Sequence, residues 1–170
     1  MASELGVQTI QHTNGTTAAT IDSSGRMLVS NIPMCQVHLT TSNTQDTSNP
    51  YEILTTPIKY DKIVLNEGSC YSASTGKFTA PVTGIYRVDS TLLTDAGTTA
   101  NTNHKVYKNS TELARSYNGV DTQHVQLFIS VLVEANANDT IHTELQAGDI
   151  YIDSTGLYSS FNVQLVGLKS

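Results

Sequence analysis

Between Tyr60 and Tyr86 the chain reads YDKIVLNEGSCYSASTGKFTAPVTGIY. A β-branched run at Ile63-Val64-Leu65 meets a Gly-Ser segment. A tight turn is expected at Ser74-Thr75-Gly76, and Phe78 then leads through Pro81 to Gly84-Ile85-Tyr86. No acid–base pair, metal-ligand spacing or phosphate loop occurs in it. Apolar anchors alternate with turn formers, which is the pattern of strands meeting at the seam of a β-sandwich. The rest of the chain has the same punctuation.

Residues 1–33 form a separate first section. Its short apolar pieces are split by Asn14-Gly15, a hairpin signal, and by Asp22-Ser23-Ser24-Gly25, a turn with glycine in the left-handed position. A β-hairpin arm is expected, with Val7, Ile10, Ile21, Met27 and Leu28 as its anchoring side chains. It is too short to build a core alone. It packs on its own domain, on a neighbouring subunit or on a larger assembly, the alternative being a floppy tail. Pro33 marks the boundary with a main domain over 34–170.

In the main domain Met34 to Leu39 reads as the first strand. Residues 40–50 are a polar loop, Ile53-Leu54 a short apolar piece, and Pro57 suits an edge or bulge. From Gly84 to Leu93 the set Tyr86, Val88, Ser90, Leu92 alternates with Ile85, Arg87, Asp89, Thr91. His104–Lys108 pairs back with Glu112–Tyr117. Val125–Glu134 is the most apolar run, a central strand ended by Asn136 to Asp139. Thr140–Leu145 alternates, and Phe161–Leu168 closes the chain with Phe161, Val163, Leu165 and Gly167 on one face. About ten strands and no helix give an all-β fold, a jelly-roll β-sandwich.

Composition narrows the function. The 170 residues suffice for one sizeable core, and only 14% are charged, with a net charge of −6. Nine Lys and Arg are scattered, and Arg26 is the sole one in the first fifty residues. Phosphate neutralisation on nucleic acid and attraction to an anionic membrane are both disfavoured. No apolar run has the length of a membrane-spanning helix, and the N-terminus has no secretory signal. A soluble protein made in a reducing cytoplasm is expected; Cys35 and Cys70 are too few for a disulfide framework and are expected as packed free thiols, with a Cys35–Cys70 pair as the alternative. The sequons at Asn14, Asn109 and Asn138 carry no glycosylation meaning in that setting.

No catalytic constellation emerges. His12, His38, His104, His124 and His142 form no H-x-H or H-E-x-x-H pattern. Asp95, Asp121 and Asp149 sit in loops without EF-hand spacing. No G-x-S-x-G is present. Gly76-Lys77 lacks the glycine spacing of a phosphate loop. No enzyme, cofactor or metal is expected. Of the eight tyrosines, Tyr71, Tyr86 and Tyr107 are expected to pack. Tyr51 and Tyr60 flank the first strands, and Tyr151 follows a turn. Tyr117 and Tyr158 lie by turns and are the candidates for a recognition surface.

The seam resembles the C1q/tumour-necrosis-factor-like jelly roll. Asn66, Tyr71, Phe78, Gly84 and Tyr86 stand in the register of that family's signature, and TGKFTAP and GIY match its text. Tyr60 stands where the family has Phe, while Val88 and Ser90 replace two aromatics, so the packing after Tyr86 must differ. The resemblance spans residues 35–170. It implies a homotrimer, with Tyr71, Phe78, Gly84, Tyr86, Phe128 and Phe161 serving trimer and core packing. The arm, TIQHTNGTTAATIDSSGRM, resembles a leader of structural proteins in marine and cyanobacterial tailed phages. The two resemblances together imply a virion protein assembled in the host cytoplasm. It would be a trimeric capsid decoration or cement protein, its arms clamping the major capsid protein or another virion protein. The alternative is a receptor-binding tip of a tail fibre or spike, with loops 40–50, 94–103 and 117–124 on a host surface glycan.

Overall fold

The computed structural model describes residues 6–29, 31–41, 56–96, 101–119 and 123–169. Tyr51, Ile53-Leu54, Asp121 and most of the 40–50 loop lie outside them. The chain divides into two compact units, residues 1–32 and 33–170.

The first unit is an antiparallel sheet of three strands in the order β1 (Thr9–Gln11), β2 (Thr17–Ile21), β3 (Met27–Val29). Asn14-Gly15 makes the first turn, with Gly15 at φ 86° and the Asn14 carboxamide oxygen accepting the Thr16 amide at 3.0 Å. The second turn is held by Asp22, whose Oδ1 accepts the amides of Ser24 (2.9 Å) and Arg26 (3.0 Å). Each turn reverses the chain, so the arm is a three-stranded meander, two hairpins in succession.

The second unit has ten strands: β4 (Met34–His38), β5 (Lys62–Glu67), β6 (Tyr71–Ser72), β7 (Lys77–Thr79), β8 (Gly84–Leu93), β9 (Thr102–Lys108), β10 (Thr111–Asn118), β11 (Gln126–Ala135), β12 (Thr140–Gln146) and β13 (Ser160–Leu168). No helix occurs among the described residues. Two five-stranded antiparallel sheets, in the orders β10-β9-β12-β7-β6 and β11-β8-β13-β4-β5, form a jelly-roll sandwich. The alternation of β8 holds: Tyr86, Val88, Ser90 and Leu92 are buried. A bulge between Leu165 and Gly167 breaks the single face expected for β13.

The seam is stitched by side chains that stand in for ladder bonds. The Asn66 carboxamide accepts the Tyr71 amide at 2.9 Å and donates to the Tyr71 carbonyl at 3.0 Å. The Tyr71 hydroxyl donates to the Tyr60 carbonyl (3.0 Å) and accepts the Tyr60 amide (2.9 Å). The Tyr86 hydroxyl donates to the Val82 carbonyl at 2.7 Å. Buried backbone groups outside regular pairing are thereby satisfied. Phe161 packs on both Tyr60 and Tyr71, and Phe78 meets Tyr86 edge-on. Cys35 and Cys70 are buried free thiols, and burial pushes the Cys35 thiol up to about 12.

Gly76 turns β6 into β7 at φ 70°, and a Cβ there would lie 2.4 Å from the Ile58 carbonyl oxygen. Gly76→Ala is expected to lose more than about 2 kcal/mol, because left-handed strain adds to a backbone clash. Gly167→Ala, with nothing within 4 Å of the added carbon, should be nearly neutral. Thermal melts of the two variants make the comparison.

Candidate functional site

The sheet β11-β8-β13-β4-β5 turns one face to the core and leaves the other outside. Period-two alternation sends Phe128, Ser130, Leu132 and Glu134 of β11 outward. The register sets Phe128 opposite Thr91, Ser130 opposite Asp89, Leu132 opposite Arg87, and Glu134 opposite Ile85. Phe128 is 56% exposed and Leu132 65%. Ile85 and the bulge residue Val166 are also exposed. Four large apolar side chains on or beside one sheet face are thus left in water.

A polar row crosses this face. Gln36, Asn162, Asp89 and Ser130 are consecutive partners across β4, β13, β8 and β11. The Ser130 hydroxyl donates to Asp89 Oδ1 at 2.6 Å, and Arg87 pairs with Asp89 Oδ2 at 2.8 Å. A groove of about 260 Å³ runs beside the row, lined by Gln36, Leu65, Arg87, Asp89, Asn162 and Gln164 among others. The Asn162 Oδ1 atom is buried without a protein partner. The face therefore combines apolar contact with a few directional groups, the chemistry of a protein–protein interface.

The candidate packing residues divide. Tyr71, Phe78, Tyr86 and Phe161 are buried in the core. Gly84 is buried where a Cβ would lie 2.5 Å from the Gly167 carbonyl oxygen. Phe128 alone of that set stands on the outer face. Tyr107 packs, but outside the opposite sheet, stacked on His142 with centroids 5.4 Å apart. Around it Glu112 pairs with Lys105 (3.1 Å) and Arg115 (2.6 Å).

Both recognition candidates lie at the sandwich end opposite the Pro33 connection. Tyr117 is exposed on β10, paired with Asn103. Tyr158 is 47% exposed and meets Tyr151 edge-on at 5.8 Å, and Tyr151 in turn meets His124 at 4.9 Å. Of the loops offered for recognition, 97–100 and 120–122 fall outside the described residues. Among the described residues no group of three His, Cys, Asp or Glu side chains could hold a metal ion.

One site escaped the sequence reading. Inside the core the Tyr60 hydroxyl meets Thr143 Oγ1 at 3.0 Å and Ser90 Oγ at 3.4 Å. Ser90 Oγ lies 3.2 Å from His104 Nε2 and donates to the Ser160 carbonyl at 2.9 Å. His104 Nδ1 has no partner, and burial pushes the imidazole down to about 3. The signal was present: Ser90 and His104 both occupy inward positions of alternating strands.

The C1q domain family model matches residues 38–166. Complement C1q tumor necrosis factor-related protein 2 of Mus musculus and of Homo sapiens are each 63% identical to the chain over 30 residues. That stretch is 18% of this chain and 10% of each relative, so the chain spans only about a tenth of their length. The globular domain of zebrafish complement 1qA protein superposes with a TM-score of 0.57 at 14% identity, over 81% of this chain and 99% of that one. Murine APRIL gives 0.54 at 15% identity, over 78% and 99%. With the sandwich, the stitched seam and the family match over most of its length, the chain belongs to the C1q domain family.

Proposed function

We propose that this chain is a non-enzymatic structural protein that assembles as a homotrimer through the outer face of β11-β8-β13-β4-β5 and is anchored by its N-terminal unit. Domains of the C1q/TNF type typically form trimers and generally serve as binding or structural modules. The observation that carries the proposal is the exposure of Phe128, Leu132 and Ile85 on that face, with the bulge residue Val166 exposed beside them. A closed trimer removes that surface from water, at about 25 cal/mol per Å².

Leu132→Asp tests it. Light scattering on the parent protein is expected to give the mass of three 18.3 kDa chains. The variant should give the mass of one chain with an unchanged β-type circular dichroism spectrum, since a carboxylate in the contact must be desolvated. A parent of one-chain mass would remove the assembly reading.

The setting we favour is a virion, with the trimer as a capsid decoration protein on the major capsid protein or a neighbouring shell protein. Support comes from the leader resemblance of residues 9–27. A second reading, a tail tip binding host surface glycan, is favoured by the placement of Tyr117 and Tyr158 at the end away from Pro33. Imaging particles tagged after Ser170 separates the two. An array over the head means decoration, density at the tail means recognition, and unlabelled particles would end both.

A further inference from the structure

The three-stranded arm has no core of its own. Ala19 is its one buried apolar residue among the described positions, while Ile10, Met27, Leu28 and Val29 are exposed. A sheet this small needs something packed on a face. The register shows which face. Ile10, Ala19 and Val29 are consecutive partners across β1, β2 and β3, and Ile21 pairs with Met27 two residues further along. These five side chains share one face. Thr9, Thr20 and Leu28 form the matching row on the other. Leu28, grouped with the anchoring residues in the sequence, is therefore separated from Ile10, Ile21 and Met27. Val7 borders an open hollow with Ile21.

We infer that the Ile10–Ala19–Val29 face is covered by the same face of other copies of this chain, so that the arms of one trimer pack together. The inference rests on the homotrimer reading above. Three observations select a second copy as the occupant. First, only three residues of sequence, 30–32, separate the end of β3 from Pro33, where the second unit begins. Second, the chain joins the sandwich at Pro33, whose carbonyl accepts the Leu165 amide at 3.0 Å, and continues into β4 beside β13. These are the inner strands of the sheet assigned to assembly, so a trimer built on that sheet starts its three connections near one axis. Short tethers from a common origin hold the arms at about millimolar effective concentration. Third, Asp22 and Arg26 are the only Asp, Glu, Lys or Arg in 6–29, and they pair with each other at 2.8 Å. Identical faces then meet without charge repulsion. The Thr9–Thr20–Leu28 face is left outward for whatever surface the trimer is fixed to.

Val29 and Leu28 are neighbours on opposite faces, which supplies the test. Full-length protein carrying Val29→Cys or Leu28→Cys is weighed by light scattering, oxidised with copper-phenanthroline and run on a non-reducing gel. The parent is the blank, because its two thiols are buried. Val29→Cys is expected to give disulfide-linked pairs in excess over Leu28→Cys on the order of tenfold, as high effective concentration favours only the facing thiols. Equal or absent linking in particles of three-chain mass overturns the arm contact and leaves the trimer standing. A one-chain mass overturns the trimer and the inference with it.

Discussion

Phe161→Ala is expected to destabilise the sandwich by about 3–5 kcal/mol, the usual cost of truncating a buried phenylalanine. Phe161 is 0% exposed and sits on β13, the middle strand of its sheet. Its ring stacks on Tyr60 at 5.7 Å and tilts against Tyr71 at 6.3 Å. Both tyrosines are held by hydrogen bonds, Tyr71 to the backbone of Tyr60 and Tyr60 to Thr143. They have little freedom to collapse into the space left by the missing ring, so the cavity persists and the loss falls in the upper part of the range. Phe128→Ala is the control. That ring is exposed in one chain, and its removal should change folding of the single chain by no more than about 0.5 kcal/mol while weakening assembly. Urea midpoints at one fixed protein concentration decide, because association shifts apparent stability. A Phe161→Ala loss below about 1 kcal/mol would mean that the ring does not close the core.

The contrast between these two phenylalanines shows where sequence reading stops. Local chemistry was legible. Ser-Thr-Gly at 74–76 gave a turn because Gly76 must take φ 70°, and the alternation from Gly84 to Leu93 gave the buried and outward sets of β8. The seam residues could be named from a family pattern because each one fills a local need, such as Asn66 bonding Tyr71 five residues away. Register between distant strands was not legible. The row Gln36–Asn162–Asp89–Ser130 joins residues from four parts of the chain. Nor could a bulge be foreseen at Leu165–Gly167. Tyr107, expected to pack, shows a different gap. Alternation in His104–Lys108 already put it on the side opposite His104 and Val106, but no periodicity says that His142 waits there to stack on it. The same gap hid the split of the arm residues, since Leu28 and Met27 differ in face only once β2 is in register with β3.

The departures from the family pattern lead to the second large effect, a loss of stability in mild acid that depends on His104. Tyr60 brings a hydroxyl where a phenylalanine is expected, and Ser90 gives up the volume of an aromatic. The two meet, and His104 fills the remaining space with Nε2 toward Ser90. The core stays filled, but a titratable ring is now sealed within it. Burial lowers its folded pKa from 6.5 to about 3. The unfolded chain therefore binds a proton that the folded chain refuses, and stability must fall as pH drops below the unfolded value. The contribution is fully present above about pH 6.5 and is lost progressively toward pH 3. Between pH 7.5 and 5 the expected loss is about 2 kcal/mol, rising toward about 5 kcal/mol at the acid limit. His142, whose pKa burial also lowers, adds a loss of the same sign, so the slope must be assigned by substitution. His104→Gln keeps an amide able to reach Ser90 and cannot titrate. Urea unfolding of parent and variant at pH 7.5 and 5 should show the pH-dependent loss shrinking by about 2 kcal/mol in the variant, whatever its absolute stability. Parallel pH dependence in the two proteins would mean that His104 reaches water or a proton donor in the folded state, and the sealed Tyr60–Ser90–His104 cluster would have to be abandoned.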